Sequence, residues 1–164
     1  MRPRNIILHH SLTKDSQTVS WDAIKRFHTS YRQGGNIISK EEAMELKGKG
    51  ERITSPWKDI GYHIGIELVN ENYELMWGRP LYIPGAHCKE QGMNSKSVGI
   101  CFVGNFDKIE VPNDQWWMGI KLVKFLQILY KIPKEKVYGH REFASYKSCP
   151  GNLFDLDKFR GKLI

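Results

Sequence analysis

The sequence lacks the features of a membrane-spanning, secreted or repetitive protein. No apolar run approaches the roughly 20 residues that span a bilayer, so we expect no membrane insertion. The first apolar run, Ile6-Ile7-Leu8, is too short for the core of a signal peptide, and no internal repeat or low-complexity linker is visible. We therefore expect a protein that is made and kept in the cytoplasm unless another agent releases it.

Cysteine is scarce in this chain. Cys88, Cys101 and Cys149 are odd in number and show no paired spacing, so a disulfide framework is not expected. This use of cysteine is typical of a protein in a reducing compartment.

Clusters of basic residues are missing as well, although the net charge is +7. The lysines and arginines are scattered, and no helix-turn-helix or RNA-binding aromatic pattern accompanies them, so nucleic acid is not an expected partner. The positive net charge favours a polyanionic partner such as a bacterial cell wall. A contribution to solubility alone explains the charge equally well.

The length of 164 residues predicts a single domain over residues 1–164, without a second, separate domain, and we expect a monomer. Hydrophobic residues at 40% and charged residues at 26% are ordinary for a globular chain, so a core can form without disulfides. Short apolar runs, rich in β-branched residues, predict five strands: Ile6–Leu8, Tyr62–Leu68, Tyr73–Trp77, Val98–Val103 and Val137–Tyr138.

Helices are expected between several of these strands. Ser20 can cap a helix whose apolar spacing, beginning at Val19, continues to Tyr31 and is stopped by Gly34-Gly35. Three more are predicted: one opened by the capping box of residues 39–42, one from Asn113 or Asp114 to just before Pro133, and one from Leu153 to about Lys162 with Asn152 as its cap. The expected architecture is α/β, a central mixed sheet of about five or six strands with helices on both faces.

The stretch from Tyr138 to Gly151 carries the residues with the clearest chemistry. His140 and Cys149 can converge if this loop folds back, and zinc accepts both imidazole and thiolate. A catalytic zinc site uses three protein ligands and leaves a fourth position open to water. The third candidate is His9 or His10; adjacent strand residues face opposite sides of a sheet, so only one of them can serve. Spacing leaves that choice open, and core histidines with an inert cysteine are the alternative.

Six motifs occur in order along the chain and carry a family resemblance. They are Leu8-His9-His10-Ser11-Leu12-Thr13, Asp59-Ile60-Gly61-Tyr62-His63, Gly85-Ala86-His87 with Asn94-Ser95 and Val98-Gly99-Ile100, Gly104-Asn105-Phe106-Asp107, Gly139-His140-Arg141-Glu142, and Lys147-Ser148-Cys149-Pro150-Gly151. The chain thereby resembles, from about Asn5 to Phe154, the zinc N-acetylmuramoyl-L-alanine amidases of the phage lysozyme-amidase and peptidoglycan recognition protein family.

The resemblance implies a role for seven residues. It makes His9, His140 and Cys149 the zinc ligands and gives Tyr62 and Lys147 the catalytic positions, without deciding which one acts as base or as oxyanion stabiliser. It further implies that His87 and Asn94 line the groove for the muramyl peptide. Two segments are longer than the family pattern, Cys88–Met93 and Glu142–Tyr146.

The activity implied is zinc-dependent hydrolysis of the amide bond between N-acetylmuramic acid and L-alanine in bacterial peptidoglycan. A phage or prophage endolysin that waits in the cytoplasm until it is released to the wall fits this expectation. The alternative is a peptidoglycan-binding or regulatory protein without turnover, although non-catalytic family members lack the cysteine that this sequence keeps.

Overall fold

A five-stranded mixed sheet is the centre of the fold in the computed structural model, which describes residues 1–12 and 20–164. In chain order the elements are β1 (Asn5–His10), α1 (Trp21–His28), β2 (Tyr31–Gln33), β3 (Asn36–Ile38), α2 (Lys40–Gly48), β4 (Ile64–Val69), β5 (Asn72–Trp77), β6 (Ser97–Phe102), α3 (Asn113–Tyr130), β7 (Val137–Gly139) and α4 (Leu156–Arg160). Val19 and Thr13, which the sequence patterns included, lie outside the described residues.

The strand order is β5-β4-β6-β1-β7. β4, β6, β1 and β7 run parallel, and β5 pairs antiparallel with β4 as the outer half of the predicted hairpin. The predicted mixed sheet is confirmed, with five strands. Because β1 lies between β6 and β7, the residues that follow these strands meet at one carboxyl edge of the sheet.

Alternation along the strands divides their side chains between two buried layers. The larger layer lies under α3 and α4 and includes Ile6, Leu8, Ile100, Phe102 and Phe159. The smaller layer, on the other face, contains Trp21, Ile60, Cys101 and Val103. Each fully buried side chain of this size contributes about 1.5–3 kcal/mol of burial free energy. Helices therefore cover both faces, as predicted.

Specific polar contacts seat α1 and α3 on the sheet. The backbone N–H of Trp21 donates to both carboxylate oxygens of Glu67 at 3.1 Å. The Trp21 indole packs so closely on Gly65 that a Cβ added there would lie 2.3 Å from the nearest ring atom. On the other face, the buried Gln115 Nε2 donates to the carbonyls of Ile66 and Val103 at 2.9 and 3.0 Å. These contacts hold each helix against the strands that carry the carboxyl edge.

Two helix predictions are corrected and two are confirmed. α1 ends at His28, and Gly34 and Gly35, with positive φ angles of 56° and 92°, form the turn of the β2–β3 hairpin instead of stopping a helix. α4 begins at Leu156, capped by Asp155, whose carboxylate accepts from the N–H of Lys158 at 2.8 Å. α2 opens at the predicted capping box, and α3 stops before Pro133 as expected.

None of the helices within residues 1–12 and 20–164 combines the length and the apolar character that a bilayer crossing requires.

Candidate metal centre and active site

Three side chains from distant parts of the chain converge at the carboxyl edge of the sheet. His9 lies at the end of β1, His140 directly follows β7, and their ring centroids are 4.8 Å apart. Cys149 folds back from the following loop, with Sγ 3.5 Å from Nδ1 of His9. The ligand atoms of the three residues all lie within 4.8 Å of one another. These are the three residues that the family resemblance implies as zinc ligands.

His10 faces the opposite side of β1 and is not part of this group. Its Nδ1 accepts from the backbone N–H of Phe106 at 3.2 Å, within the larger buried layer. Its own backbone N–H donates to Sγ of Cys149 at 3.3 Å. The alternation of the strand therefore places His9, and not His10, in the group with His140 and Cys149.

The donor chemistry and the burial of the group fit a zinc ion. Burial lowers the pKa of His9 well below 6.5, and the neighbouring His87 and His140 add to the effect, so the His9 imidazole is neutral and has a free lone pair. Burial raises the pKa of Cys149 to about 12, against the N–H donated by His10. A thiol in this setting ionises only beside a cation, as it does when it coordinates zinc.

His87 supports His9 from the side away from the thiol. Nδ1 of His87 lies 3.0 Å from Nε2 of His9. The His87 ring packs directly on Gly85 and Gly99, because a Cβ added at these positions would lie only 2.3 Å and 2.5 Å from it. If Nδ1 of His9 holds a metal ion, its Nε2 carries the hydrogen and donates to Nδ1 of His87. His87 is thus placed to fix the orientation of a predicted metal ligand.

A cavity of about 270 Å³ opens over the group. Tyr62 and Lys147, the predicted catalytic residues, line it together with His9, His140 and Cys149. The Tyr62 ring centroid is 5.2 Å from that of His9, and burial raises the pKa of Tyr62 well above 10, so the phenol keeps its proton at neutral pH. The fold therefore brings all five residues that were predicted to bind metal or to act in catalysis to one cavity.

Comparisons with known proteins identify the family of the chain. Residues 1–152 match the sequence pattern of the family described as N-acetylmuramoyl-L-alanine amidase. The chain belongs to this amidase family. It is 30% identical over 114 residues to the endolysin of Enterobacteria phage K11, an alignment that covers 66% of this chain and 70% of the endolysin.

Solved structures of similar proteins extend the likeness to almost the whole amidase. The endolysin N-acetylmuramoyl-L-alanine amidase LysCS from Clostridium intestinale URNW superposes with a TM-score of 0.71 at 25% identity, covering 99% of this chain and 84% of that one. Drosophila peptidoglycan recognition protein LB gives a TM-score of 0.63 at 25% identity, covering 94% and 79%. The predicted family and fold are confirmed.

Asn94 is hydrogen-bonded to the loop that carries His87, and its predicted contact with the muramyl peptide stays a prediction. Its side-chain oxygen accepts from the backbone N–H groups of His87 and Cys88, both at 2.8 Å, and its carbonyl accepts from Gly85 at 2.9 Å. Asn94 therefore holds the loop that carries His87 and is not among the residues lining the 270 Å³ cavity. His87 does line that cavity, so its predicted contact with substrate stays a prediction beside its contact with His9.

Residues that sequence reasoning missed also line or border the cavity of the amidase. His28 and Trp57 form one wall, with ring centroids 4.6 Å apart, and Nδ1 of His28 accepts from the N–H of Gly61 at 3.1 Å. Trp57 was visible in the sequence as an apolar residue within a polar loop, but nothing marked His28. Glu90 was missed as well: its Oε2 lies 3.5 Å from Nε2 of His140.

Proposed function

We propose that this amidase hydrolyses the amide bond between the lactyl group of N-acetylmuramic acid and L-alanine in bacterial peptidoglycan, with one zinc ion held by His9, His140 and Cys149. The observation that carries the proposal is the convergence of these three ligand atoms within 4.8 Å at the base of a cavity that Tyr62 and Lys147 also line. Membership of the amidase family supports the bond type.

Amide hydrolysis develops negative charge on the carbonyl oxygen, and the residues around the cavity are suited to stabilise it. When bound, zinc supplies a Lewis acid for the carbonyl and lowers the pKa of a coordinated water to near neutrality. Tyr62 contributes a phenol O–H, which can donate a hydrogen bond to the developing oxyanion. Lys147 contributes an ammonium at the rim, where its charge also acts on His140 and Cys149.

The experiment combines zinc content with the release of free stem peptide from purified peptidoglycan. Cys149→Ala should lose both zinc and peptide release, because two imidazoles remain of the three ligands. Cys88→Ala is the matched control: Cys88 is also buried, and it belongs to a second potential cation group with Glu90 and His140. Peptide release by Cys149→Ala at the wild-type rate contradicts the proposal, and so does a loss of zinc that occurs only in Cys88→Ala. A wild-type protein that binds muramyl peptide without release is a peptidoglycan-binding protein.

We further propose that the amidase acts as a phage or prophage endolysin that stays in the cytoplasm until it is released to the wall. The similarity to the endolysin of phage K11 supports this role. The net charge of +7 would then attract the enzyme to anionic wall polymers. We expect lysis to slow between about 0.1 M and 1 M salt, over which the Debye length shortens from about 10 Å to about 3 Å. Equal lysis rates at the two salt concentrations contradict a role for the charge.

A further inference from the structure

The two segments that are longer than the family pattern meet beside the candidate metal centre. Glu90, in the 88–93 segment, accepts a hydrogen bond from the hydroxyl of Tyr146, in the 142–146 segment, at 2.7 Å. The other carboxylate oxygen of Glu90 lies 3.5 Å from Nε2 of His140 and accepts from the thiol of Cys88 at 3.6 Å. One carboxylate thus contacts a predicted zinc ligand and the loop that carries Lys147.

The surroundings of Glu90 make these contacts more than a surface ion pair. The side chains of Glu90 and His140 are only 18% and 12% exposed. Nε2 of His140 is buried and has no hydrogen-bond partner at closer range within residues 1–12 and 20–164. The Glu90 carboxylate, with Oε2 3.5 Å away, is therefore the acceptor placed beside this ring nitrogen of His140.

Tyr146 ties the other end of the contact to the catalytic loop. Its ring is 70% exposed, so packing does not hold it in place. Its hydroxyl bond to Glu90 spans 56 positions in sequence, and Nζ of the next residue, Lys147, lies 5.6 Å from the centre of its ring. The bond to Glu90 thus restrains the backbone immediately before Lys147.

We propose that Glu90 and Tyr146 are positioning residues of this amidase: Glu90 orients the His140 imidazole toward the metal, and Tyr146 holds Glu90 and the loop bearing Lys147. The first part rests on the proposed zinc-dependent function. A carboxylate on the free ring nitrogen of a metal-bound histidine fixes its tautomer and orientation and raises its basicity as a ligand. The second part needs no metal, because the Tyr146–Glu90 bond ties the two segments together directly.

The test uses Glu90→Gln, Tyr146→Phe and the double variant of the full chain. Tyr82→Phe and Glu45→Gln are matched controls, since Tyr82 is 69% exposed and Glu45 lies on the outer face of α2. Zinc affinity is measured by competition with a chelator, loop order by amide hydrogen exchange over residues 143–148, and kcat and KM at saturating zinc. Circular dichroism checks that each variant is folded.

Glu90→Gln should weaken zinc binding by about 10- to 100-fold, as substitutions of such partners typically do. Tyr146→Phe should speed amide exchange in the loop and lower kcat more than it raises KM, because Lys147 acts on charge that develops in the transition state. The double variant should bind zinc no more weakly than Glu90→Gln, since both changes disrupt one unit.

Several results would overturn the inference. A zinc affinity of Glu90→Gln equal to that of Glu45→Gln removes the role of Glu90, and unchanged loop exchange in Tyr146→Phe removes that of Tyr146. Two zinc ions per wild-type chain, one of them lost in Glu90→Gln, would make Glu90 a ligand. If wild type takes up no zinc, the proposed function fails, and loop exchange in the exposed Tyr146→Phe variant alone decides whether the tether exists.

Discussion

Replacing His10 by Asn should make the protein more resistant to acid. His10 is 5% exposed, and its Nδ1 already accepts a hydrogen bond from Phe106, so the folded state has no place for a second ring proton. Burial lowers the pKa of His10 to about 4, with Asp107 opposing and Arg141 assisting the shift. Asn places its side-chain oxygen where Nδ1 stood, and can keep the bond from Phe106 without being able to gain a proton.

The sign and size of the effect follow from the difference in pKa between the two states. In the unfolded chain a histidine takes up a proton near pH 6.5, whereas folded His10 does so only near pH 4. The stabilising contribution is therefore complete above about pH 6.5 and declines as the pH falls toward 4. From about pH 6.5 down to about pH 5, the free energy of unfolding falls by roughly 1.4 kcal/mol for each pH unit, which gives a loss of about 2 kcal/mol at about pH 5.

The assay is urea unfolding of the metal-free protein, followed by tryptophan fluorescence at about pH 7.5 and about pH 5. Wild type should lose about 2 kcal/mol more unfolding free energy between these conditions than His10→Asn does. His28→Asn offers a parallel case, because Nδ1 of His28 accepts from Gly61 and burial lowers its pKa to about 4. If His10→Asn loses as much stability as wild type, the fold does not exclude the proton from His10 and the reasoning is refuted.

Three further substitutions test the packing that positions the site. Gly99→Ala should destabilise the fold by about 1–3 kcal/mol and weaken zinc binding, because the new Cβ would lie 2.5 Å from the His87 ring; urea unfolding and chelator competition measure the two effects. Gln115→Ala should cost about 1–3 kcal/mol in the same unfolding assay, since the carbonyls of Ile66 and Val103 each lose a buried donor. Ser39→Ala should lower the thermal midpoint through a loss of about 1 kcal/mol, because the N–H of Glu42 loses its cap, and leave zinc affinity unchanged.

The parts of the fold that could be predicted are those with a strong local signal. Runs of β-branched residues predicted the strands, and a long apolar stripe ending before Pro133 predicted α3. The end of α1 and the start of α4 were predicted wrongly. For α1, the local pattern does not say whether Gly34-Gly35 terminates a helix or forms the turn of a hairpin. That choice depends on the pairing of β2 with β3 and on the bridge from Arg32 to Thr54, which are contacts between separate segments.

The composition of the candidate site was partly predictable in the same way. The donor types of His140 and Cys149 and the order of the motifs pointed to zinc and to an amidase. Spacing could not choose between His9 and His10, and the resemblance implied His9. In the structure, the pairing of His9 with Cys101 in β6 and of β1 with β7 puts His9 on the face where His140 arrives. The resemblance implied a groove position for Asn94, and the structure adds that its side chain accepts from the backbone N–H groups of His87 and Cys88.

The sequence by itself determined which chemical groups were available and which segments would form the five strands of the central sheet and the long helix α3, since both depend on residue type and short-range periodicity. Only the tertiary structure decided that groups 140 positions apart, His9 and Cys149, stand 3.5 Å from each other. It also decided that Glu90 and Tyr146 meet beside them. Such contacts depend on the order of strands in the sheet and on the path of the loops between them. Neither the strand order nor the loop path produces a periodic pattern in the sequence.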